Sequence, residues 1–146
     1  MQKAIDNWNN APGPQYYSYT GRANDTWIYI AGDHPGHQGL ASNTYGMTWN
    51  CDTNGYCYNR LDHATWIKWS NVVINEDAAA SHSTNILIEG VAHESGHAMG
   101  LAHNSTDSRA LMYPVDDGTV LAPTAHDIGS SPPCAGWGLR CIYDYP

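Results

Sequence analysis

The stretch His93-Glu94-Ser95-Gly96-His97-Ala98-Met99-Gly100-Leu101-Ala102-His103 constrains this chain more than any other. Residues four apart share one face of a helix, so His93 and His97 can offer imidazole nitrogens to a single ion. Zinc suits that donor set, because its catalytic sites typically use three protein ligands and leave the fourth place to water. Gly100 tolerates a positive φ at a helix end, which turns the chain back and lets His103 supply the third nitrogen. Glu94, at the flank of the pair, is within reach of a water on the metal as a general base. On a wheel stepping about 100° per residue, Ile88, Val91, Ala92, Ser95, Ala98 and Met99 fall in one arc facing away from the histidines. One face should therefore pack on a core and the other carry chemistry. Histidines at i and i+4 also occur as plain surface neighbours; Gly100 and His103 at this spacing favour a metal site over a solvated His-rich helix.

Further along stands Ala110-Leu111-Met112-Tyr113-Pro114. With the histidine stretch it resembles the metzincin clan of zinc endopeptidases. Its wording, with Gly100-Leu101 before the third histidine, is similar to the matrixin (matrix-metalloprotease-like) branch. The resemblance is close over residues 85–116 and faint elsewhere. It implies one catalytic zinc on His93, His97 and His103, Glu94 as the base that activates a zinc-bound water, and a Met-turn whose Met112 lies beneath the metal. Two positions depart from the family pattern. Asn104 follows the third histidine where matrixins usually have Ser. Pro114-Val115-Asp116 stands where their specificity-pocket wall often reads Pro-x-Tyr, so the family's substrate preference does not carry over.

Charge narrows the partners. Asp and Glu outnumber Lys and Arg 14 to 6, for a formal net charge of -8, and no basic run exists. A nucleic acid or an anionic membrane surface is therefore not an expected partner. No apolar run approaches the roughly 18 residues of a spanning helix. Met1-Gln2-Lys3 leads into polar residues instead of a signal peptide, so a secreted protein would be seen here in its mature part. Cysteines fall as Cys51…Cys57 and Cys134…Cys141. Two locally closed loops are the simplest of the three possible pairings, and the spacing is wide for zinc knuckles. Disulfides imply an oxidising compartment, hence secretion.

In chain order, residues 2–11 read as a helix with Ile5 and Trp8 inward, ended by Pro12-Gly13-Pro14. Trp27–Ala31 reads as a buried strand. The Gly-rich loop after it holds His34 and His37, read as solvated in preference to a second metal site. Gly39-Leu40-Ala41 to Tyr45 is expected as a strand that resembles the family's edge strand at the cleft rim. Its open backbone groups could dock an extended peptide, with Leu40 and Ala41 as substrate contacts; an ordinary edge strand is the alternative. Met47 to Arg60 reads as an irregular disulfide-closed insertion whose Asp52, Asn54 and Asp62 give calcium little support. Trp66 to Trp69 and Asn71 to Glu76 give one or two strands with Val72, Val73 and Ile74 as core. Ala78 to Ser83 reads as a linker, with Ser83 or Thr84 capping the next helix; Glu89, one turn before His93, reads as a surface acid in preference to a partner behind the His93 ring. Val115 to Ala122 should line the specificity pocket, with Pro114 and Val115 as substrate contacts. Thr124 to Gly129 is similar to the start of the family's last helix, cut short by Ser130-Ser131-Pro132-Pro133, and residues 134–146 read as a disulfide-held coil.

The expected fold is α+β: a metzincin-like twisted mixed β-sheet, a long active-site helix and an irregular C-terminal subdomain. Residues 1–146 are expected to form a single metalloprotease catalytic domain with its subdomain division near residue 100. The expected function is that of a secreted, monomeric zinc endopeptidase hydrolysing internal bonds of protein or peptide substrates. Two rivals stand beside it. A gluzincin-type enzyme takes a distant Glu as third ligand, against which His103 argues. A non-catalytic zinc or peptide-binding module needs no base, against which Glu94 argues.

Overall fold

Val72, Val73 and Ile74 are consecutive, apolar and at most 1% exposed. A run buried on both sides belongs to a central strand, and the computed structural model places it there. It describes residues 1–13, 15, 17–18, 27–31, 40, 44–59, 67–129, 138–139 and 142. In chain order the elements are α1 (Gln2–Asn9), β1 (Trp27–Ala31), β2 (Gly46–Cys51), β3 (Cys57–Tyr58), β4 (Trp69–Asn75), α2 (Glu76–Ser81), α3 (Thr84–Ala98) and α4 (Ala125–Ile128). The sheet order is β1-β4-β2-β3. β1 runs parallel to β4, from Trp27↔Asn71 to Ala31↔Asn75. β2 runs antiparallel to β4, from Gly46↔Ile74 to Cys51↔Trp69. The sheet is mixed and the class α+β, as expected.

Helix α3 packs on β2 and β4, and α1 packs on α3. Trp8, fully buried, satisfies its indole N–H on the Ala92 carbonyl at 2.8 Å, which lets an aromatic with a polar edge sit in a core. Ser83 caps α3 by accepting the Ile86 N–H. At the other end Gly100 has φ +89. The Leu101 N–H returns to the Gly96 carbonyl at 3.0 Å and the Gly100 N–H to that of His97 at 2.9 Å. This is the Schellman arrangement, and it sends the chain toward His103. The periodicity implied one buried face, yet α3 is buried from Ile88 through Gly96, His93 and Glu94 included. β2 covers the chemical face that a wheel leaves open.

Several boundaries differ from those read in the sequence. The strand beside the cleft is Gly46–Cys51, not Gly39–Tyr45: residues 44 and 45 are not strand, and Ala41 lies outside the described residues. The inward positions Thr48 and Asn50 are polar and bond to α3, so they read as loop. Over the described part of Met47 to Arg60, residues 47–59, the chain is thus no irregular insertion but strand, turn and strand, closed by the Cys51–Cys57 disulfide. Asp52 serves that turn by accepting the Asn54 and Tyr56 N–H groups. The linker Ala78 to Ser83 is largely helix α2, whose N-cap Asn75 accepts the Asp77 N–H at 3.1 Å. His34, His37, Asp62, Cys134 and Cys141 lie outside the described residues.

Candidate metal centre

His93 and His97 leave α3 one turn apart, and each ring is held from behind. His93 Nδ1 donates to the Leu111 carbonyl at 2.8 Å and His97 Nδ1 to the Leu101 carbonyl at 2.7 Å. Protonated Nδ1 leaves the lone pair on Nε2. Nε2 of His103 lies 3.1 Å from that of His93 and 3.2 Å from that of His97. Ligand nitrogens on tetrahedral zinc, at bonds of about 2.0–2.1 Å, stand about 3.3 Å apart. Three converging neutral imidazoles therefore fit zinc in both donor type and spacing. Burial falls from His93 through His97 to the exposed His103, so the site opens on one side. Burial pushes the His93 imidazole down to about 4, against its bond to Leu111. It pushes His97 down to about 3, helped by His93, and His103 shifts the same way. All three imidazoles are therefore neutral at pH 7 and free to offer a lone pair.

Glu94 is 8% exposed. Its Oε2 accepts from Thr48 Oγ1 at 2.7 Å, and the same hydroxyl lies 2.9 Å from the Glu94 carbonyl. Burial raises the carboxyl to about 7, opposed by the Thr48 bond. β2 comes this close because residue 46 is glycine: a Cβ there would stand 2.7 Å from Glu94 Cγ. Met112 packs its sulfur against Gly96, where a Cβ would strike it. Buried Asp127 clamps this turn: its carboxylate accepts the Leu111 and Met112 N–H groups at 3.0 Å each, and Thr124 N–H at 2.8 Å. The Asn104 N–H reaches the Met112 carbonyl at 2.8 Å, tying the turn to the segment that carries His103.

A cleft of about 610 Å³ opens over the histidines. Thr44 to Thr48 line it along with Glu94, Pro114 and Asp116. Of the expected substrate contacts, Pro114 is in this wall; Leu40 and Val115 are not, and Val115 is 63% exposed. Sequence reasoning missed Gly46, Thr48, Asp116, Asp127 and Glu89. Glu89 is no surface acid: it is 3% exposed, and its carboxylate accepts the Gly118 and Val120 N–H groups, fastening the loop after Asp116 to α3. Its signal was its place one turn before His93, on the face that β2 and the loop cover. Asp116 is mostly buried, which raises its carboxyl to about 7, with Glu89 and Asp117 adding to the shift.

The family model described as matrixin, a peptidase family, matches residues 18–127 of the 146. No curated protein and no solved structure gives a significant match.

Proposed function

The chain belongs to the matrixin family, and we propose that it is a secreted zinc endopeptidase, cutting internal peptide bonds in the cleft over His93, His97 and His103. The observation that carries this is the convergence of three Nε2 atoms beside a buried glutamate. His93, His97 and His103 hold the zinc; Leu111 and Leu101 fix two of the rings through Nδ1. Met112, clamped by Asp127, supports the helix beneath the pair. When bound, zinc acidifies a coordinated water and polarises the scissile carbonyl. Glu94 takes the proton of the attacking water and passes it to the departing amine. Thr48 holds Oε2, leaving Oε1 for that transfer. A cation held by the three histidines would favour the carboxylate form of Glu94 and so offset the rise that burial causes.

Substrate backbone is read by β2. Among the described residues, β3 pairs with β2 only at Asn50 and Cys51, so Gly46 to Thr48 present an edge to which an extended peptide adds as a strand. We take residues 1–146 as one catalytic domain acting as a monomer. The Cys51–Cys57 disulfide supports an extracellular setting; among the described residues no helix is long and apolar enough to cross a membrane.

The test pairs two variants. Glu94→Ala should keep zinc, since no ligand is touched, while cleavage of a quenched peptide falls by about 10²–10⁴-fold. His97→Ala should lose zinc and activity together. Near-wild-type turnover by Glu94→Ala sinks the mechanism. Wild-type protein with one zinc per chain that cuts no peptide of a library favours the binding module.

A further inference from the structure

The cleft also carries a preference that rests on the peptidase reading and goes beyond it. Among the described residues, Asp116 Oδ1 and the Tyr45 hydroxyl are closed from solvent and have no hydrogen-bond partner. Both residues line the cleft that holds His93 and Glu94. They close on the same point of α3: a Cβ on Gly90 would meet Tyr45 Cδ1 at 3.1 Å and Asp116 Oδ2 at 3.4 Å. His93 Nδ1 is 3.7 Å from Asp116 Oδ1. That is too far for a hydrogen bond, and its proton already serves Leu111 at 2.8 Å. Buried carboxylates in native proteins are paired, and among the described residues Asp116 has no such partner. The described wall of the cleft carries two carboxylates, Glu94 and Asp116, and no lysine or arginine. Glu89 and Asp117 add negative potential at Asp116. The Asp116 side chain retains 14% of its surface, so a cation entering the cleft reaches it.

We propose that Asp116 is a specificity determinant that receives a lysine or arginine side chain flanking the scissile bond. The ammonium or guanidinium donates to the open side of the Asp116 carboxylate, while its apolar stem lies along Met47 and Pro114.

The experiment uses peptides of one sequence, varied only at the residues flanking the scissile bond among Lys, Arg, norleucine, Gln and Glu. Binding is read by fluorescence anisotropy on zinc-loaded Glu94→Gln protein, and cleavage by kcat/KM on the wild type. At one flanking position Lys and Arg should exceed norleucine about ten- to a hundredfold, with Glu weakest. Asp116→Asn keeps the shape without the charge and should bring the Lys-to-norleucine ratio close to one. Equal binding of Lys and norleucine peptides at every flanking position overturns the proposal without any variant. So does a ratio unchanged in folded Asp116→Asn. Because binding is measured without turnover, the two readings fail separately. Basic preference without cleavage rejects the peptidase and keeps this site; cleavage without basic preference does the reverse.

Discussion

At the residue scale the site sets buried histidines against buried carboxylates, and their signs fix how the metal-free protein responds to pH. His93 and His97 titrate near 4 and 3 in the fold, below the ordinary 6.5. The unfolded chain therefore binds more protons than the native one as pH falls below 6.5, and stability present above 6.5 is lost toward 4. Glu94 and Asp116, raised to about 7 from 4.5 and 3.8, act oppositely: their stability is present at low pH and lost as pH rises through 7. His103, lowered, and Glu89, raised, oppose each other in the same way. Between pH 4.5 and 6.5 the terms nearly cancel, so metal-free wild type should change little in urea stability. Glu94→Gln removes one carboxylate and unmasks one proton, about 1.4 kcal/mol lost per pH unit on acidification. Parallel pH profiles for the two proteins would refute this balance. His93, Glu94, His97 and His103 were legible because they lie within eleven consecutive positions. Thr48 and Asp116 were not, because Thr48 meets Glu94 across 46 positions and no local pattern announces it.

At the scale of elements, the bounds of α3 were legible, since the Ser83 cap and the Gly100 stop act within a few residues, but the burial of its chemical face was not. β2 was not, since its inward Thr48 and Asn50 satisfy backbone and side-chain groups of α3 and interrupt the expected apolar alternation. α2 was hidden because its cap, Asn75, also ends a strand. The union of α3 with the turn at Met112 depends on Gly96 having no side chain, as a Cβ meets the Met112 sulfur and comes within 3.1 Å of Trp8 Cζ2. Alanine is the better helix former, so propensity alone favours Gly96→Ala by about 1 kcal/mol. Overpacking against two fully enclosed side chains opposes it by about 1–3 kcal/mol, and the buried indole leaves little room to yield. The variant should unfold at lower urea with an unchanged denaturant slope and lose activity in step with displaced histidines. A variant as stable as wild type would show that Met112 has space to move and does not brace the helix.

Across the whole molecule, the class and the mixed sheet followed from the sequence, but the partners did not. Runs of β-branched and aromatic residues mark Trp27–Ala31 and Asn71 to Glu76 as strands without saying that they pair in parallel, nor that Trp8 bonds to Ala92. The three histidines proposed to hold zinc span a comparable divide. His93 and His97 belong to the helix packed on the sheet, whereas His103 belongs to the segment bonded to the Met112 turn, which Asp127 of α4 holds. An ion on all three therefore joins the sheet and α3 to the later part of the chain, and it binds the native state alone. Free zinc at about 1,000 times its dissociation constant adds about 4 kcal/mol to folding. For a chain of this length that raises the melting temperature by on the order of 10 °C. Chelation should remove the gain and added zinc restore it. His103→Ala, leaving two ligands on one helix, should melt near the metal-free wild type and respond weakly to either treatment. A melting temperature in wild type indifferent to chelator, or a zinc response in His103→Ala equal to that of wild type, would mean that the ion does not link the two parts.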